Sequence, residues 1–175
     1  VEVEYTVPPK SGLSFYARLA ANVLSPRPYS VASHHAPALT AEVRRRDRQG
    51  HVDLWQAEWA AGMEALVGAG ISRDRTIVVA HNVETLIWER HAANEARRPH
   101  RMYIYLQTRK YDRYERRVLN RARRVVAVSP DDAALLVGRF GVSPDRLDVV
   151  DNGLDRAAYE HIEPSSDHDP RRILF

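Results

Sequence analysis

Apolar residues recur along this chain at two alternating spacings, two apart in short runs and three or four apart in longer ones. Val1, Val3, Tyr5 and Val7 alternate with Glu2, Glu4 and Thr6, which is the period of a strand, and Pro8-Pro9 ends it. Leu13, Tyr16, Leu19, Ala20 and Val23 then predict a helix over about 13–24, capped by Ser11 and stopped by Pro26 and Pro28. A loop over 29–35 leads to a helix over about 37–48, with Leu39 and Val43 facing inward and Arg44, Arg45, Arg46 and Arg48 facing water. A short strand over 52–55 contains Asp53, and the helix after it carries Met63, Leu66 and Val67 and is closed by Gly68 and Gly70.

The clearest strand follows. Ile77, Val78, Val79 and Ala80 form an unbroken apolar run that breaks into His81-Asn82 before a helix over 85–94. Arg97-Arg98-Pro99 reads as a break, and one long helix spans 101–124. Ile104, Tyr111, Tyr114, Val118, Ala122 and Val125 make its seam, while eight arginines and Lys110 lie on the other faces and Asp112 is placed to support Arg116. A strand over 125–128 runs into Ser129-Pro130-Asp131-Asp132, a strong helix start with Ser as cap, Pro at the first position and acids in the first turn. That helix reaches Phe140 and stops at Gly141, and a last strand covers 147–150. Strands alternating with helices predict an α/β domain built on a doubly wound parallel sheet.

Composition narrows the classes. At 175 residues one domain with a real core is expected, and 44% hydrophobic residues argue against disorder. The 26 Lys plus Arg barely exceed the 23 Asp plus Glu, which is mild for a dedicated nucleic-acid binder. Cysteine is absent, so no disulfide framework or thiolate site can form, and a cytoplasmic setting is the default expectation. No apolar run approaches the length of a membrane span or a signal-peptide core.

Ligands of open parallel sheets sit beyond the carboxyl ends of the strands, which puts His81 and Asn82 where chemistry is expected. A histidine ending a strand can equally be structural, hydrogen-bonded to a loop carbonyl. Trp55, Glu58 and Trp59 follow the neighbouring strand and could line the same cleft, or the tryptophans could be core. The remaining histidines lack zinc-ligand spacing, so no metal is assigned.

Four features in this order resemble the N-terminal, acceptor-side domain of a GT-B fold glycosyltransferase of the large retaining family 4. They are His81-Asn82-Val83-Glu84 after a buried strand, Glu115 inside a long helix, Val126-Ala127-Val128-Ser129 followed by Asp131, and Val150, Asn152, Gly153 and Asp155 as V-x-N-G-x-D. The resemblance implies a Rossmann-like doubly wound parallel sheet over 1–162, lacking its first strands. It further implies an interdomain linker over 163–170 and the first strand of a donor-binding domain over 171–175.

By the same resemblance the activity is transfer of a sugar from a nucleotide-sugar donor, with retention, to a sugar, polysaccharide-precursor or lipid-linked acceptor. His81 is the implied catalytic residue, close to the transferred sugar. Asn82, Glu84, Glu58 and Trp59 are candidate acceptor contacts, although Glu84 could equally be a first-turn acid stabilised by the helix dipole. Asn152 and Gly153 make the turn toward the second domain, Gly153 for its permissive backbone. No cofactor is expected, because the donor's phosphates are met mainly by the other domain, and these residues alone are expected to be inactive. A sheet that lacks its first strands would expose an edge to another copy or chain.

The rival expectation is a basic α/β binding module, its arginines meeting anionic lipid or nucleic acid. A peripheral position at the inner membrane face is compatible with both. No DNA-reading helix pair or Gly-aromatic RNA motif supports nucleic acid, and no G-x-G-x-x-G loop supports a dehydrogenase.

Overall fold

The computed structural model describes residues 9–153, 155–158 and 160. The strand expected over 1–7, the linker over 163–170 and the strand over 171–175 lie outside them. Four strands, β1 (Trp55–Ala57), β2 (Thr76–Ala80), β3 (Arg124–Ala127) and β4 (Leu147–Val149), form one sheet in that order, every neighbouring pair parallel. The sequential order is that of one wing of a doubly wound, Rossmann-like α/β sheet. Seven helices accompany the strands among the described residues: α1 (Gly12–Val23), α2 (Tyr29–Ser33), α3 (Pro37–Arg48), α4 (Met63–Ala69), α5 (Glu84–Asn94), α6 (Arg98–Arg121) and α7 (Pro130–Phe140). Val78, Val125 and Ala127 from the sheet meet Met63, Leu66, Tyr114, Val118, Leu136 and Phe140 from the helices in one buried core. The valine, leucine, methionine and phenylalanine side chains among them each contribute roughly 1.5–3 kcal/mol on leaving water.

β1 starts three residues later than the apolar pattern suggests. The guanidinium of Arg75 donates to the carbonyls of Val52 and Asp53, so those groups are satisfied by a side chain and not by a ladder. The shift ends the strand at Ala57 and leaves Glu58 and Trp59 at its carboxyl end. α6 begins earlier than expected because Pro99 fits its first turn, where the missing N–H has no helical partner anyway. It also ends earlier: Ala122 is extended, Arg123 N–H donates to Thr76 O at 2.9 Å, and Arg124 pairs with Ile77 in the sheet. Ser129 caps α7 as expected, its Oγ accepting from Asp132 N–H at 3.1 Å.

Several outward and inward assignments are reversed. On α1 the expected apolar stripe faces solvent, with Leu13 89% exposed, while Asn22 is the buried residue. The helix docks through polar groups instead. Gln107 Nε2 donates to Asn22 Oδ1 at 3.0 Å, and Lys110 Nζ donates to Asn22 O at 2.6 Å and Val23 O at 3.1 Å. Lys110 is therefore buried, not on a solvent face, and desolvation lowers its pKa. Ser11 occupies the N-cap position of α1 without a side-chain capping bond.

The anticipated loop over 29–35 contains α2, and Gly70, in the left-handed region at φ 84°, closes α4, with Gly68 inside the helix. Asp112 does not pair with Arg116. It accepts from Arg139 Nε at 2.9 Å, and Arg116 donates to Arg139 O. Replacing Lys110 with Met should uncap the last turn of α1 at a cost of about 1–3 kcal/mol, since the buried carbonyl of Asn22 and the part-buried one of Val23 lose a charged donor. Hydrogen exchange should then accelerate across 19–24 and leave β2 and β3 unchanged. Uniform acceleration would show that α1 is not held locally.

Candidate functional site

The carboxyl ends of β1 and β2 lie side by side, since Ala57 pairs with Val78. Glu58 follows one strand and His81 the other, and His81 Nε2 stands 2.9 Å from Glu58 Oε2. Gln56 Nε2 donates to the other carboxylate oxygen at 2.6 Å. These bonds, that from His81 foremost, hold the Glu58 carboxyl below its usual range. The Trp59 ring meets the imidazole edge-on, with centroids 5.9 Å apart. The His81 and Glu58 side chains are 33% and 58% exposed, and an ion pair this wet adds little to stability. Its geometry orients a ring.

Glu58 and Trp59 form part of the wall of a cavity of about 380 Å³, which falls in the range of small-molecule sites, about 300–1,000 Å³. Glu84 and Tyr111 contribute to the wall from α5 and α6, Ser30, His34 and His35 from α2 and the turn after it, and Leu39 and Thr40 from α3. His81 is not itself a lining residue and reaches the cavity through its contacts with Glu58 and Trp59. Two further clefts, of about 450 and 430 Å³, lie along α6. The first includes the Arg139 fork onto Glu89 and Asp112, and neither adjoins the strand ends that carry His81 and Glu58.

α6 is the scaffold behind the site. Glu115, almost fully buried, accepts from the backbone N–H groups of Glu84 and Thr85 at 3.0 and 2.9 Å and from Thr85 Oγ1. It supplies from another helix the acceptors that the first turn of α5 lacks, and no side chain of the α5 cap position does so. Burial drives its carboxyl up to about 7, against the three donors that favour its charged form. Tyr114 OH donates to Ala60 O at 3.0 Å and so pins the turn after Glu58 and Trp59. Tyr111, stacked near Trp88, makes cavity wall.

The structure thus gathers His81, Glu58, Trp59 and Glu84, four of the residues expected from sequence. Asn82 is exposed and outside the cavity lining. Asn152 and Gly153 are exposed beyond β4, two strands from β2. Gly153 does not use the left-handed region, so its permissive backbone is not what that turn requires. Glu84 lies in the first turn of α5 and also lines the cavity, and burial raises its carboxyl pKa.

Sequence reasoning missed Ser30, Thr40, Glu64 and Tyr111 as cavity wall and Tyr114 and Glu115 as supports. One signal was present: Glu115 stands directly beside Tyr114 on an apolar seam, where a charge needs a buried partner. Among the described residues no three His, Asp or Glu side chains converge on a point that could hold a metal, and no helix is long and apolar enough to cross a membrane.

The model of the family described as Glycosyltransferase Family 4 matches residues 1–158. No curated protein and no solved structure matches the chain.

Proposed function

The chain belongs to glycosyltransferase family 4, and on that premise we propose that it forms the acceptor-side wall of a retaining enzyme that transfers a sugar from a nucleotide-sugar donor. The observation that carries the reading is the His81–Glu58 pair at the adjoining carboxyl ends of β2 and β1, beside a cavity of ligand size. Glu58 fixes the imidazole through Nε2, and Nδ1, which makes no hydrogen bond among the described residues, is left for a hydroxyl of the transferred sugar. As the bond from the sugar to the nucleotide breaks, positive charge develops at the sugar. The carboxylate-backed imidazole is a rigid, polarisable partner for it. The acceptor occupies the cavity, its ring against Trp59 and its reacting hydroxyl directed toward His81.

The nucleotide phosphates are met by a second, donor-binding wall, for among the described residues no Lys or Arg side chain lines this cavity. The 175 residues alone are expected to transfer no sugar from any of a panel of nucleotide-sugars, whereas an enzyme that joins them to a donor-binding domain should do so and keep the donor's anomeric configuration. Transfer by the 175 residues at the rate of the joined enzyme would refute the one-wall reading, and a product of inverted configuration would refute retention. Anomeric couplings in the proton spectrum of the product distinguish the two configurations.

A further inference from the structure

The cavity beside His81 is lopsided in charge. Glu58, Glu64 and Glu84 line it, and among the described residues the only basic side chains in its wall are the imidazoles of His34 and His35. His34 Nδ1 is already engaged, 2.7 Å from Ser30 O. Glu58 is met by His81 and Gln56, and Glu64 is met by Arg27 at 3.4 Å. Glu84 is different: among the described residues its carboxylate has neither an ion pair nor a hydrogen bond, although the residue is half-buried and burial pushes its carboxyl upward.

We infer that this cavity takes an acceptor sugar carrying a protonated amine, the ammonium pairing with Glu84. The inference rests on the acceptor-side reading above and adds the chemical class. An acceptor bearing phosphate or carboxylate near its reacting hydroxyl would bring like charge to a wall of three carboxylates, of which Glu64 alone, among the described residues, has an arginine, Arg27, to offset it. A neutral sugar would meet the Glu84 carboxylate with hydroxyl donors alone and supply no counter-charge. An ammonium satisfies it, and the weakly screened setting of a half-buried pocket strengthens the pair.

The test is a titration of the isotope-labelled 175-residue chain with glucosamine, glucose and glucuronate, at a pH where the amine is protonated, following the indole signal of Trp59. Glucosamine should shift that signal at concentrations about tenfold or more below those glucose requires, one factor of ten being about 1.4 kcal/mol. Glucuronate should not shift it, Glu84→Gln should bring glucosamine and glucose together, and Glu84→Asp should retain part of the preference. Equal binding of glucose, tighter binding of glucuronate, or a preference that survives Glu84→Gln would overturn the amine and leave the cavity a sugar site. If none of the three sugars moves the Trp59 signal, the acceptor-side reading of the cavity falls with it.

Discussion

Alanine in place of His81 is expected to lower turnover of the complete enzyme on the order of 10²-fold, the loss typical when one preorganised partner of developing charge is removed. The fold should hardly notice. The side chain is one-third exposed, its one ionic partner is more exposed still, and such pairs contribute up to about 1 kcal/mol. Glu58→Gln keeps a hydrogen-bond acceptor beside Nε2 and removes its charge, so it should fall between the native enzyme and His81→Ala. KM for the donor should stay nearly constant in both, because the interaction strengthens only as charge develops. The result that sinks this assignment is a His81→Ala protein that unfolds, or one whose turnover is intact.

Glu115→Ala is expected to be the most destabilising single change in the site. It strands two backbone N–H groups and the Thr85 hydroxyl at the buried start of α5, and unsatisfied buried donors cost about 1–3 kcal/mol each. A total of roughly 3–9 kcal/mol is a large part of what holds a domain of this size. The Gln variant should cost less, keeping one oxygen for Thr85 while presenting an N–H₂ group to Glu84.

The pH dependence has a definite sign. An ordinary glutamate releases its proton near 4.5 and folded Glu115 releases it near 7, so the folded state binds that proton more tightly. The stability Glu115 contributes this way is fully present below about 4.5 and is lost as pH rises through about 7. At about 1.4 kcal/mol per pH unit the change is on the order of 3 kcal/mol. Urea midpoints of the native protein minus those of Glu115→Gln should therefore fall between mildly acid and neutral pH. A difference that stays flat or rises would mean that the three donors outweigh burial.

The two supports of the site were unequally legible. The strand before His81 stood out because Ile77, Val78 and Val79 are β-branched in an unbroken run, and Ser129-Pro130-Asp131-Asp132 announced α7, since cap, proline and acids act within one turn. Local chemistry suffices for such features. β1 was misplaced by three residues because Arg75, distant in sequence, claims the carbonyls of Val52 and Asp53. α1 was read inside out because its docking rests on Asn22 and Lys110, and a buried polar contact leaves no apolar periodicity to find.

What the sequence determined by itself is the family, the α/β alternation, and the strand end at which His81 stands, because short-range patterning and turn chemistry act over a few residues. Only the tertiary structure decided which of these side chains meet and what environment they share. The His81–Glu58 contact spans 23 residues and the Glu115 bonds to the start of α5 span 30 and 31, and their strength depends on burial that no local pattern encodes.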